Sequence, residues 1–173
     1  MKKLSIIIGF VFLFVGNTLL AQTNEQKIYI GAGVGLDYGG IIGGKIEYLP
    51  EKHLGLFVGL GSNLYSLGWN LGASYKILPD MKISPNLMAF YGCNAILRVE
   101  GIQTYNVTSN GFTIGGNLDI KVNSKGDKLS IGLFFPFRSD YFNDYYNRPD
   151  IEIKREITSI VISVGFNLLS YWW

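Results

Sequence analysis

The residue types that most often carry catalysis are scarce in this chain. His53 is the only histidine and Cys93 the only cysteine among 173 residues. A histidine acts as a general base when a nucleophile or an orienting carboxylate lies within hydrogen-bond reach. His53 falls in a predicted turn with no serine beside it, so we interpret it as a solvated turn residue. No CxxC pair or Cys/His set indicates a metal, and the sequence predicts no cofactor and no enzymatic activity.

Seven charged residues of both signs lie in phase on one face of the predicted strands. They are Lys45, Glu47, Lys76, Arg98, Glu100, Asp119 and Lys121. If this face lines a barrel interior, the charges either form the selectivity lining of a narrow pore or pair with one another inside a filled lumen. An unpaired buried charge is costly, and a barrel of eight strands encloses little more than its own side chains. We therefore favour the filled lumen.

The segment that sets the architecture is Ile28 to Tyr38, whose two faces differ in size. Alternate residues of a strand point to opposite faces. One face is mostly glycine, and the other carries Ile28, Ile30, Ala32, Val34, Leu36 and Tyr38. A soluble strand would oppose its apolar face with long polar side chains. A nearly bare second face is typical of a strand whose large side chains meet lipid and whose small ones crowd a narrow barrel.

The same alternation recurs in eight segments and predicts an all-β, eight-stranded, antiparallel up-and-down transmembrane barrel. The segments are 28–38, 40–48, 54–62, 65–77, 86–100, 112–122, 129–137 and 158–172. A secreted sandwich or a lipocalin-like barrel would also show about eight alternating strands. Its outer face would then be Gly, Ser and Asn with few charges, which makes a poor soluble surface.

Five of the seven predicted connections are short and two are long, so two of the predicted outer loops are minimal. Compact turns at Pro50, Pro79 and Gly126 are predicted to face the periplasm, and the long connections Gly101–Gly111 and Arg138–Glu156 to face the outside. Aromatic residues at both ends of the outward face predict two interfacial rings. These are Tyr48, Tyr75 and Trp172 at one end and Tyr38, Tyr65, Phe112 and Phe137 at the other. Cys93 is predicted to face lipid as a small apolar filler.

Residues 1–21 have the pattern of a secretory signal peptide. Lys2 and Lys3 precede an apolar run of about a dozen residues, too short for the roughly 20 of a spanning helix. Cleavage is predicted after Ala21, which leaves residues 22–173 as one barrel domain. Two of the 15 basic residues lie in the signal, so the remainder balance the 13 acidic residues. No basic patch therefore indicates nucleic acid as a partner.

These features together resemble the small outer-membrane barrels of Gram-negative bacteria, the OmpA/OmpX-like and "outer membrane protein beta-barrel domain" group. The resemblance covers residues 22–173 and rests on the signal end, the glycine-rich first strand, the repeats and the terminal aromatics Tyr171, Trp172 and Trp173. It implies an outer-membrane location, contact with lipid and lipopolysaccharide, and terminal aromatics read by the barrel-assembly machinery. Barrels of this size that modify lipid A use a histidine near the outer rim, whereas His53 lies at the predicted periplasmic side.

The longest predicted loop is rich in aromatic residues, which supply rigid contact area at interfaces. Candidate contacts are Tyr141, Phe142, Tyr145, Tyr146 and Arg148. Two interpretations stay open: a surface that binds an extracellular ligand, or a loop that rests on lipopolysaccharide headgroups. The function predicted is a structural or surface-interaction role through the outer loops, and the alternative is a narrow pore for small solutes.

Overall fold

The computed structural model describes residues 27–63, 66–97, 107–140, 142, 144 and 158–171, and these form a closed barrel of eight antiparallel strands. Each strand pairs with the next along the chain, and β8 pairs with β1. The predicted fold is confirmed. The strands are β1 Lys27–Gly35, β2 Gly40–Leu49, β3 Leu54–Ser62, β4 Leu67–Lys76, β5 Ile83–Leu97, β6 Val107–Lys121, β7 Lys128–Pro136 and β8 Val161–Tyr171.

The strands form because apolar and small residues alternate with period two, which gives each strand one bulky and one small or polar face. In β3, Leu56 and Leu60 are about half exposed outward while Phe57 and Gly59 are buried inward. No charged residue occupies an outward position of the described strand segments. The described residues include no helix that is both long enough and apolar enough to cross a membrane.

The two ends of the barrel differ in their connections. The short-turn end carries residues 50–53, 77–82 and 122–127, as the sequence predicted, together with the start of β1 and the end of β8. In the last of these turns, Leu169 N donates to Asp127 Oδ1 at 2.9 Å and Asn123 Nδ2 donates to Asp127 Oδ2 at 2.7 Å. These bonds hold the pKa of the half-buried Asp127 below its usual range. The opposite end, called the long-loop end, carries the remaining connections.

The prediction that β1 continues outward through Tyr38 is wrong. The strand ends at Gly35 after a register shift, and a short 3-10 helix, η1 (Leu36–Tyr38), follows. Gly35 has φ 121° and Gly39 has φ 87°, backbone conformations that glycine adopts without steric cost. The Gly39 amide closes the turn on Leu36 O at 2.9 Å. Tyr38, predicted for the outer aromatic ring, is therefore fully buried inside the barrel.

Two predictions near the β5–β6 hairpin are also wrong. β6 begins at Val107, so residues 107–111 of the predicted loop belong to a strand. Cys93, predicted to face lipid, is 4% exposed. The β5–β6 register shifts between Cys93 and Ala95, which interrupts the alternation as a bulge does. Asn63, from the connection after β3, lies 3.6 Å from the cysteine sulfur through its Nδ2 atom.

Candidate functional site

The middle of the lumen is filled by an apolar cluster of Phe57, Met88, Phe90 and Phe134, each at most 4% exposed. The Phe90 ring lies 5.7 Å from Phe57 and 5.2 Å from Phe134 between centroids, both edge to face. Such geometry is favourable for aromatic pairs. The cluster spans strands β3, β5 and β7, so it separates the two ends of the lumen.

On the short-turn side of this cluster, four buried charges form one network, called the ion quartet. It consists of Glu47, Lys76, Asp119 and Lys128, one from each of β2, β4, β6 and β7. The Lys128 ammonium lies 2.7 Å from a carboxylate oxygen of each acid, and the Lys76 ammonium lies 3.2 Å and 3.3 Å from the same acids. Each cation therefore bridges both anions.

Neutral side chains also donate hydrogen bonds to the carboxylates of the ion quartet. Ser74 Oγ donates to Glu47 Oε1 at 2.6 Å, and Ser130 Oγ donates to Asp119 Oδ1 at 2.5 Å. The Lys128 ammonium also lies 4.0 Å from the centroid of the Tyr29 ring, a cation–π distance. Since buried charges are tolerated when paired and hydrogen-bonded, this geometry describes a saturated cross-link between strands.

On the long-loop side of the lumen, η1 fills the space. The Lys45 ammonium pairs with Asp37 Oδ2 at 2.6 Å and lies 4.2 Å from the Tyr38 ring centroid. Asn167 Nδ2 donates to the Tyr38 hydroxyl at 3.0 Å, and Asn70 Nδ2 donates to Leu36 O. Side chains from β2, β4 and β8 thus hold this one turn inside the barrel.

Inward glycines make the space that η1 occupies. A Cβ added at Gly33 would lie 2.8 Å from the Tyr38 ring, and one at Gly59 would lie 2.5 Å from Asp37 O. Gly165 faces the same ring from β8 at still closer range. The glycine-rich strand face that the sequence predicted is therefore the wall against which η1 packs.

The short-turn end of the lumen is open. A cavity of about 530 Å³ lies between the ion quartet and the short turns, whose residues line it. We call it the vestibule. Its floor includes Lys76, Asp119 and Lys128, and its wall includes Tyr29, Leu49 and Leu169.

The structure brings most of the predicted lumen charges together and adds two that the sequence analysis missed. Lys45, Glu47, Lys76 and Asp119 are buried inside the barrel, whereas Lys121 is half-buried at the vestibule mouth, where its ammonium donates to Pro79 O at 2.9 Å. Arg98 and Glu100 lie outside the described residues. The two missed residues are Asp37, which lies in the predicted segment 28–38, and Lys128, which directly precedes the predicted segment 129–137.

The signal for Lys128 was present in the alternation. Ser130, Gly132 and Phe134 point inward along β7, and Lys128 is in phase with them. With both residues included, three acids and three lysines share the described interior: Asp37, Glu47, Asp119, Lys45, Lys76 and Lys128. The interior is electrically balanced.

Of the predicted loop contacts, the structure describes Phe142, and its place there is a correction. Phe142 is 1% exposed, and its amide donates to Ser139 O at 3.0 Å. Tyr141, Tyr145, Tyr146 and Arg148 lie outside the described residues. So do Trp172 and Trp173 of the predicted assembly signal, while Tyr171 ends β8 opposite Lys27.

The arrangement offers no catalytic constellation within the described residues. His53 is exposed at the short-turn end, its Nδ1 lies 2.7 Å from Lys76 O, and its ring stacks on Tyr75 at 5.8 Å between centroids. No group of three or more His, Cys, Asp or Glu residues in the described part of the chain is placed to hold a metal ion. The chemistry that the lumen supports is ion pairing, hydrogen bonding and packing.

Comparison with known proteins supports the fold. The chain is similar to the N-terminal β-barrel domain of OprF from Pseudomonas aeruginosa, with 15% sequence identity and a TM-score of 0.51. The match covers 85% of this chain and 100% of that one. No protein-family model matches the sequence, and a search of curated proteins gave no match.

Proposed function

We propose that this protein is an integral outer-membrane barrel whose role is structural or surface-interacting through its long-loop end, without catalysis. The observation that carries the proposal is the outward face of the barrel. Large apolar side chains such as Leu71 and Ile162 are 60% and 65% exposed there, and the described outward strand positions carry no charge. An apolar area of this extent is a liability in water and a requirement in lipid.

In this orientation the short-turn end faces the periplasm, since membrane barrels have short periplasmic turns and longer outer connections. Lipid and lipopolysaccharide then surround the barrel, and the terminal aromatics 171–173 serve as the signal for the barrel-assembly machinery. Two outward aromatics at the long-loop end, Phe112 and Phe137, are about half exposed, as interfacial anchors would be.

A charge placed on the outward face tests the proposal. Leu71 lies mid-strand, paired with Val58 and Tyr91. Leu71→Arg is expected to lower the free energy of unfolding in lipid bilayers by about 2–4 kcal/mol, against about 0–1 kcal/mol for Thr108→Arg near the rim. Fractionation and heat-modifiable gel migration supply the companion measurement. A soluble periplasmic monomer, insensitive to both substitutions, would contradict the proposal.

The alternative function, a narrow pore, is supported by the vestibule, which gives water access to the ion quartet. The apolar cluster and η1 oppose it, because they fill the rest of the lumen. Single-channel recording in planar bilayers separates the two. We expect no stable open state, and a large steady conductance would favour the pore.

Deletion of residues 140–150 tests the surface role. Loss of cell-surface binding with heat-modifiable migration retained would support an interaction through the long loop. Unchanged binding together with altered solute uptake would favour the narrow pore instead.

A further inference from the structure

The vestibule is closed at its inner end. Both carboxylates of the ion quartet bridge Lys76 and Lys128, and each also accepts a hydrogen bond from a serine, Ser74 for Glu47 and Ser130 for Asp119. Behind the quartet lies the apolar cluster around Phe90. The floor is therefore electrically neutral and blocked, and a solute that enters the vestibule leaves by the way it came.

The mouth of the vestibule carries an excess of positive charge. Six lysines line the cavity, Lys27, Lys52, Lys76, Lys121, Lys125 and Lys128, against three acidic residues. Lys76 and Lys128 are neutralised by the quartet, and Lys52 lies 3.8 Å from Asp80. Lys27, Lys121 and Lys125 form no ion pair with a described carboxylate. Lys125 lies near enough to Asp127 to lower the pKa of that carboxyl, and Glu51 is the remaining acidic residue of the lining.

These three lysines come from different elements that converge on one opening. Lys27 starts β1, Lys121 ends β6 and Lys125 lies in the turn before β7. The Lys121 ammonium is fixed by its hydrogen bond to Pro79 O, a neutral acceptor that leaves its charge uncompensated. The wall of the vestibule also has apolar surface, which Tyr29, Leu49 and Leu169 supply.

We propose that the vestibule is a binding site for a small anion that carries phosphate or carboxylate groups, held by Lys27, Lys121 and Lys125. The volume of about 530 Å³ lies within the range of about 300–1,000 Å³ typical of small-molecule sites. Ammonium groups form charge-assisted hydrogen bonds with such anions. Binding itself is independent of the membrane proposal, which decides only that the ligand comes from the periplasm.

The experiment is a calorimetric titration of the protein, extracted in a zwitterionic detergent, with inorganic pyrophosphate. We expect saturable binding that weakens as salt is added. The triple variant Lys27→Gln, Lys121→Gln, Lys125→Gln should bind about tenfold more weakly or worse. Lys82→Gln is the matched control, since Lys82 lies at the same end outside the vestibule and its removal should leave the affinity unchanged.

Two further arms sharpen the outcome. Competition by phosphatidylglycerol but not by phosphatidylcholine would support the site and assign its anion to a lipid headgroup, whereas pyrophosphate binding that neither lipid affects would assign it to a soluble ligand. Absence of saturable binding, or equal binding by the folded triple variant, would overturn the proposal. If the triple variant does not fold, Lys125→Gln alone, at an exposed turn, supplies the comparison.

Fractionation tests the membrane proposal separately. Failure of the anion-binding proposal is therefore distinguishable from failure of the membrane proposal.

Discussion

The two halves of the lumen are filled in different ways. On the long-loop side the backbone itself enters the barrel, and η1 packs against glycines such as Gly33 and Gly59. On the short-turn side the backbone stays in the wall, and long side chains reach inward from four strands to form the ion quartet. A narrow barrel is thus filled in one half by a backbone turn that packs against glycines. In the other half it is filled by long side chains that form ion pairs.

The halves also differ in what they leave empty. On the short-turn side the ion quartet leaves the vestibule open between itself and the turns, whereas on the long-loop side η1 packs directly against the glycines of the wall. A hydrogen-bond chain joins the halves: Asn167 Nδ2 donates both to the Tyr38 hydroxyl and to Ser130 Oγ, and Ser130 in turn donates to Asp119. These hydrogen bonds therefore connect η1 to the ion quartet.

The largest effect is expected in the ion quartet. Lys128→Met removes the cation that lies 2.7 Å from both acids and leaves buried negative charge in excess. Breaking a buried pair in this way costs about 3–5 kcal/mol. Denaturant unfolding in micelles measures the loss. Lys125→Met, in the exposed turn, is the control and should change stability by less than about 0.5 kcal/mol. Equal effects of the two substitutions would mean that the quartet does not cross-link the strands.

A smaller effect is expected where η1 meets its glycine wall. Gly165→Ala places a methyl group against the Tyr38 ring, and such overpacking costs about 1–3 kcal/mol. In a Tyr38→Ala background the penalty should shrink, so a double-mutant cycle on unfolding free energies shows the coupling. Gly44→Ala is the control, because its nearest contact would be an ordinary 3.5 Å. Additive effects at residues 165 and 38 would contradict the packing of η1 in the lumen.

The link between the halves is tested by Tyr38→Phe. The substitution keeps the ring and removes the hydroxyl that accepts from Asn167. Loss of one such bond costs about 0.5–1.5 kcal/mol. The same substitution in an Asn167→Ala background should cost less, as measured by denaturant unfolding. An undiminished cost there would show that the hydroxyl acts through some other contact.

The smallest effect concerns Asp127, outside both halves. Its folded-state pKa is lowered by hydrogen bonds from Leu169 N and Asn123. A lowered pKa gives stability that is present above the ordinary aspartate value of about 3.9 and is lost as pH falls through the folded-state value. Asp127→Asn should therefore be slightly less stable than the parent at neutral pH and equal to it in acid. A constant difference across the pH range would contradict this assignment.

The alternation of the sequence was sufficient to predict the strand number, the closed barrel, the three short turns and the inward position of Lys45, Glu47, Lys76 and Asp119. Period two decides which face a side chain occupies as long as the strand stays regular. The prediction failed where regularity stopped. At Gly35 and near Cys93 the register shifts, so counting by twos placed Tyr38 and Cys93 on the wrong face.

What the sequence determined by itself is the wall of this molecule, because the wall depends on local alternation that every strand repeats. What the tertiary structure decided is how the interior is filled. The pairing of Lys128 with Glu47 joins residues 81 positions apart, and that of Tyr38 with Asn167 joins residues 129 apart. Such contacts depend on closure of the barrel, which sets strand stagger and brings side chains from opposite walls within hydrogen-bond distance.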